Sequence, residues 1–300
     1  MQDGDELMLS QTNVKSILSP VRHPEELYGA HFAFDVYRGC PHACIYCAAA
    51  SDTYDLDAPD VIIDTKVNAV ELLAQELVSK KEKCLIATGV LSDPYCQAEE
   101  RFMLTRMACE CVLRHGFHLH ICTKSDMILR DIDIFKRYKQ QLSVSFSFTA
   151  FNEKTALALE PDAPAPVWRF DAMRELSRLG IVCGAVFSPV LPFLTDTEEN
   201  LQTLITACAA CGAQFVTAFY GINITERQRK YFYRRLEACR PGLAERYAAV
   251  FGGEHVCLSP YAKDLSPFCR SLAQRHHMGY GMRAAAARIS GGEQLSLFEE

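Results

Sequence analysis

The segment Tyr37-Arg-Gly-Cys-Pro-His-Ala-Cys-Ile-Tyr-Cys47 places three thiols, Cys40, Cys44 and Cys47, at C-x3-C-x2-C spacing. It continues directly from an apolar, aromatic run, His31–Tyr37, that reads as a strand. Spacing this short lets one loop wrap a single inorganic core. Iron–sulfur clusters are normally held by four cysteine thiolates, so a compact group of three suggests an iron left for a non-protein ligand. Zinc competes, because Cys3His sites are common and His42 lies inside the loop, yet zinc motifs usually pair two halves across a longer stretch. Three buried thiols with no metal is the remaining alternative.

Outward from the loop, short apolar runs alternate with helical patterns. Strands are expected at His31–Tyr37, Lys83–Thr88, His118–Thr123, Leu142–Phe148, Ile181–Phe187 and Gln214–Tyr220. Helices are expected at Asn68–Lys80, Glu99–His115, Asp131–Tyr138, Val167–Leu179 and Thr197–Cys211. Such alternation implies an α/β fold with parallel strands and right-handed crossovers, either a doubly wound sheet or a full or partial barrel. Function then belongs at the C-terminal strand ends, where Cys40, Ser92, Asp93, Lys124 and Ser147 fall.

A chain of 300 residues that is 49% hydrophobic can bury one large core, so one main domain with short additions is expected. The net charge of -6 shows no basic excess, and a nucleic-acid substrate would need a local basic patch. The acidic, polar start at Met1–Glu6 is no secretory signal, and no segment approaches the roughly 20 apolar residues of a membrane span. A cytoplasmic protein with no membrane role is expected. Most of the 14 cysteines lie in apolar runs and read as reduced core residues, Cys208 and Cys211 included.

The cysteine spacing, with an aromatic residue before the last thiol, resembles the signature of the radical S-adenosylmethionine superfamily. Further segments resemble its spore photoproduct lyase-like branch: Thr88-Gly-Val-Leu-Ser-Asp-Pro-Tyr95, Thr123-Lys-Ser125, Leu129-Arg-Asp131, Glu160-Pro161 and Ser188-Pro-Val-Leu-Pro192. Roughly residues 13 to 265 are covered. The resemblance implies a partial (β/α)6 TIM-like barrel in which a reduced [4Fe-4S] cluster on Cys40, Cys44 and Cys47 cleaves S-adenosylmethionine. Methionine and a 5′-deoxyadenosyl radical result, and the radical takes a hydrogen atom from substrate. It also implies cofactor contacts at Ser92, Asp93, Lys124 and Ser147, and an electron donor such as flavodoxin or ferredoxin.

The chain departs from the lyase proper at two places. Val90 stands where the lyase carries a hydrogen-donor cysteine, and Ala48 where it carries the second of two tyrosines flanking the third cluster cysteine. Tyr46 matches the first tyrosine, and Tyr95 and Cys96, on the loop after the second strand, are the alternative hydrogen donors.

The expected boundaries are an extension over 1–30, the barrel over 31–225, a helical cap over 226–288 and a flexible tail over 289–300. The cap opens with Arg227-Gln-Arg-Lys-Tyr-Phe-Tyr-Arg-Arg235, whose cations and aromatics suit either nucleic-acid contact or a solvated amphipathic helix. The tail residues Gln294, Leu295, Ser296, Leu297 and Phe298 resemble the pentapeptide with which bacterial repair proteins bind the β sliding clamp. A DNA lesion or modified nucleotide is the expected substrate. Radical modification of RNA or of a peptide, and a metal-stabilised binding module without turnover, are the alternatives.

Overall fold

The computed structural model describes residues 8–47 and 62–290. Its centre is an eight-stranded sheet, seven strands of which are parallel. We number six of them: β1 Phe32–Phe34, β2 Leu85–Thr88, β3 His118–Thr123, β4 Leu142–Ser147, β5 Val182–Phe187 and β6 Phe215–Ala218. They lie in this order across the sheet, the strand order expected of a partial (β/α)6 barrel. The antiparallel pair Ser19–Pro20 edges the β1 side, and Gly279–Tyr280 adds a parallel strand beyond β6.

Between the strands the chain returns through helices that cover one face of the sheet. Ala69–Val78, Leu104–Arg114, Pro166–Arg178 and Glu198–Ala210 bury Leu73, Leu77, Val112, Leu113, Met173, Leu176, Leu201 and Leu204 against the strands. Thr197 caps the last of these helices by accepting from Asn200 N. The helix expected over Glu99–His115 is two helices, broken at Met103, whose φ of 50° is left-handed. The break lets the buried Glu99 carboxylate accept from Thr105 N at 2.8 Å and Arg106 N at 3.1 Å, which caps the second helix.

The expected first strand also divides. Phe32–Phe34 joins the main sheet, whereas Tyr37–Arg38 pairs antiparallel with Ile62–Lys66, which itself pairs in parallel with Met8–Thr12. The division falls at Asp35, a charged residue inside the apolar run, and it turns the following loop across the C-terminal ends of the strands.

The concave face of the sheet encloses a second apolar layer. Tyr28, Leu85, Ala87 and Phe215 pack there with Ala285 and Ile289 of the helix Met282–Ile289. Gly184 of β5 makes this possible, since a Cβ at that position would lie 2.2 Å from the Phe215 ring. The helices Glu226–Cys239 and Leu243–Phe251 form a cap whose core residues, Phe232, Leu236, Tyr247 and Phe251, pack with Ile45 and Tyr46 of the cysteine loop. The helix Ala262–Arg275 leaves the cap and packs on Glu198–Ala210, so residues 262–290 return to the barrel. Among the described residues no helix is long and apolar enough to cross a membrane.

Candidate active site

The cysteine loop begins where β1 and its continuation end. Gly39, at φ 93°, and Ala43, at φ 49°, bend the backbone on either side of Cys40 and His42. Ile45 N donates to Leu159 O at 3.0 Å and Asp162 N donates to His42 O at 3.2 Å, which stitches the loop to the segment around Glu160-Pro161. The three thiols therefore rest on a frame made by the end of the helix Glu153–Leu159 and by the cap.

Under the loop, Tyr46 bonds to Thr149 Oγ1 at 2.9 Å and to Glu160 Oε1. The opposite oxygen of Glu160 accepts from Arg169 at 2.5 Å, and Arg169 also donates to Ser147 O at 2.8 Å and Pro164 O at 2.7 Å. Burial alone would raise the Glu160 carboxyl, but Arg169 and Lys124 outweigh it and hold the group below its ordinary range. Tyr46, Glu160, Arg169 and Ser147 thus tie the loop to the end of β4.

Asp93 performs the same task on the other side. Its Oδ1 accepts from Tyr95 N at 3.0 Å and Thr123 Oγ1 at 2.6 Å, and its Oδ2 accepts from Lys124 N at 2.7 Å. His42 Nδ1 lies 3.7 Å from Oδ2, and burial lowers the pKa of that imidazole. Through these bonds Asp93 positions the end of β3.

These elements enclose a cavity of about 240 Å³ at the C-terminal ends of the strands. Cys40, Cys44, Cys47, Tyr46, Ser92, Asp93, Lys124 and Ser147 all line it. The three loop thiols are partly exposed. Burial pushes Cys40 upward and Cys44 up to about 12. Burial would lower Lys124, but Cys44 and Glu160 more than compensate and keep its ammonium charged. Three thiols from one loop, one fixed cation and two hydroxyls suit an iron–sulfur core with an open iron and a ligand that carries a carboxylate.

A larger hollow of about 470 Å³ adjoins this cavity and shares Val90, Leu91 and Ser92 with it. Ile17, Pro20, Phe34, Arg38 and Lys66 are among its walls.

Tyr95 and Cys96 are not brought to the cavity. The Tyr95 phenol donates to Asp131 Oδ2 at 3.1 Å, within a network that joins Arg106, Arg130 and Glu99, and Cys96 is fully buried in the core between sheet and helices. The aromatic residues of Arg227–Arg235 likewise turn inward, with Phe232 fully buried, while Arg229 caps the carbonyls of Gly252, Gly253 and Glu254. That helix is amphipathic and shows no aromatic stacking face to solvent. The expected tail Gln294–Phe298 and Ala48 lie outside the described residues.

Sequence reasoning missed Asp35, Cys122, Arg169 and Ser188. Asp35 accepts from Gly89 N at 3.0 Å and Leu91 N at 3.1 Å, and burial raises its carboxyl to about 6. Its signal was a lone acid in an apolar run. Cys122 and Ser188 line the cavity from β3 and from the segment after β5. Arg169 stands on the buried side of its helix, and a cation on an apolar face was the available clue.

The sequence model of the radical SAM superfamily matches residues 34–205. A protein of Mycobacterium tuberculosis (strain ATCC 25618 / H37Rv) is 31% identical over 255 residues, 82% of this chain and 74% of that one. A protein of Methanocaldococcus jannaschii is 31% identical over 178 residues, 59% of this chain and 66% of that one. Among solved structures, spore photoproduct lyase complexed with dinucleoside spore photoproduct superposes with a TM-score of 0.69 at 16% identity, covering 91% of this chain and 81% of that one. A variant of that lyase with bound AdoMet and dinucleoside spore photoproduct also gives 0.69, at the same identity and coverage.

Proposed function

The chain belongs to the radical SAM superfamily, and on that premise we propose that it reductively cleaves S-adenosylmethionine and acts on a DNA lesion or modified nucleotide. The observation that carries the proposal is the convergence of Cys40, Cys44 and Cys47 on one cavity with Lys124, Ser92 and Ser147. When bound, the cluster and S-adenosylmethionine supply one-electron cleavage of a sulfonium bond and a carbon radical that abstracts hydrogen.

The chain's own residues do the rest. Cys40, Cys44 and Cys47 hold the cluster and leave one iron to the cofactor. Lys124, fixed through its backbone by Asp93, pairs with the cofactor carboxylate, and Ser92 and Ser147 bond its polar groups. The Tyr46–Glu160–Arg169 ties keep the loop from shifting, and the cap excludes water from above.

A nucleotide substrate is supported by the adjoining hollow, whose apolar walls suit a base face and whose Arg38 and Lys66 suit a phosphate. The lyase that shares the fold has been solved complexed with dinucleoside spore photoproduct, which fits the same reading. An electron donor of the flavodoxin or ferredoxin class completes the reaction, and the tail Gln294–Phe298 docks the protein on the β sliding clamp. Loss of clamp binding on deleting residues 291–300 tests the tail, and unchanged binding refutes it.

Anaerobic reconstitution followed by iron and sulfide analysis tests the cluster. Formation of 5′-deoxyadenosine, stimulated by damaged DNA, tests the activity. A zinc-only protein would remove the radical reading, and indifference to DNA would remove the substrate.

A further inference from the structure

We propose that Cys122 is the hydrogen-atom donor of this active site, returning a hydrogen atom to the substrate radical formed in the cavity. This rests on the radical reading above and goes beyond it by naming the residue that ends the radical's life.

Among the described residues four cysteines line the cavity, and only Cys122 comes from outside the cluster loop. It sits on β3 two residues before Lys124 and lines the cavity together with Lys124 and Asp93. It is therefore a thiol beside the cofactor position that the cluster does not require.

The wall behind it is polar where a barrel interior is usually apolar. His120 bonds Ser143 Oγ at 2.8 Å through one ring nitrogen and Ser145 Oγ at 2.9 Å through the other. Cys122 pairs with Ser145 across β3 and β4 just as His120 pairs with Ser143, so all four share one face of the sheet, and the Tyr28 ring lies 4.1 Å from the His120 ring. A satisfied buried network fixes orientation in a way that apolar packing does not. The register of β3 against β4 places Cys122 on this polar face, and its thiol lines the cavity.

The chemistry balances. The S–H bond of Cys122 breaks and a C–H bond forms on the substrate radical, which is downhill because S–H bonds are weaker than C–H bonds. The thiyl radical left on Cys122 takes one electron from the flavodoxin- or ferredoxin-class donor and one proton, which restores the thiol.

Two measurements on the anaerobically reconstituted full chain test this. In the first, iodoacetamide is applied with and without S-adenosylmethionine and the modified cysteines are mapped by mass spectrometry. Cys122 is expected to be alkylated and to be shielded by the cofactor. No alkylation, or alkylation indifferent to the cofactor, overturns the placement, including the case in which Cys122 is itself a cluster ligand. In the second, S-adenosylmethionine is cleaved without substrate in D2O, where the thiol carries deuterium, and the deuterium per molecule of 5′-deoxyadenosine is measured. The wild-type product is expected to be labelled, with loss of label in both Cys122→Ala and Cys122→Ser. Unchanged label in the variants refutes the donor role alone, whereas absence of 5′-deoxyadenosine from the wild type refutes the radical reading itself.

Discussion

Glu160 and Arg169 face each other at 2.5 Å with both side chains only 1% exposed, directly beneath the cysteine loop. Removing one partner from such a pair strands a buried charge. Glu160→Ala is therefore expected to destabilise the fold by about 3–5 kcal/mol in urea denaturation. The folded-state pKa of Glu160 is depressed, so its contribution is complete above the ordinary value of 4.5 and is lost as pH falls through the lower folded value. The difference between wild type and variant should shrink in acid below pH 4.5.

Asp93 fixes the Lys124 backbone through Oδ2 at 2.7 Å. Asp93→Asn replaces one acceptor with a donor that faces backbone N–H groups, so the end of β3 should shift while the cluster thiols stay in place. Equilibrium binding should show S-adenosylmethionine affinity weakened about 10- to 100-fold, the usual effect of losing an outer-shell partner, with iron content unchanged. A loss of iron equal to the loss of affinity would assign Asp93 to the cluster instead.

Gly89 packs against β3 so closely that a Cβ would lie 1.9 Å from Cys122 O, and its φ is +84°. Gly116 has a similar φ of +80° with nothing within 4 Å of its Cβ position. Gly116→Ala should cost about 1–3 kcal/mol, the range for left-handed strain alone. Gly89→Ala adds a backbone clash and should exceed about 4 kcal/mol or prevent folding. Equal midpoints for the two variants would contradict the close approach.

His120 has its folded-state pKa depressed to about 3 by burial. Stability that depends on its neutral form is complete above the ordinary value of 6.5 and is lost progressively as pH falls toward 3. The wild type should lose stability below pH 6.5 with a component that His120→Asn lacks, read from denaturation midpoints across the range.

The alternation of strands and helices was legible because each inner strand is a short apolar run and each crossover helix carries an apolar stripe. β3 matches its expected bounds at both ends, since Gly116 precedes it and the polar Lys124-Ser125 follows. The first strand was read too long because apolar character continues through Val36 and Tyr37, and only Asp35 marks the bend. The loop thiols were legible from spacing alone. Cys122 was not, because in sequence it is one more small apolar residue in a strand, and only the register with Ser145 turns it toward the cavity. Tyr95 was misread for the converse reason: its place beside Ser92 and Asp93 in sequence says nothing about the turn that points its phenol at Asp131.

The most direct test of the account is the electron paramagnetic resonance spectrum of the reduced, anaerobically reconstituted protein recorded with and without S-adenosylmethionine. A cluster on Cys40, Cys44 and Cys47 with an open iron predicts a [4Fe-4S] signal whose shape changes when the cofactor binds. A signal identical under both conditions, from a metal centre fully ligated by side chains, would contradict it.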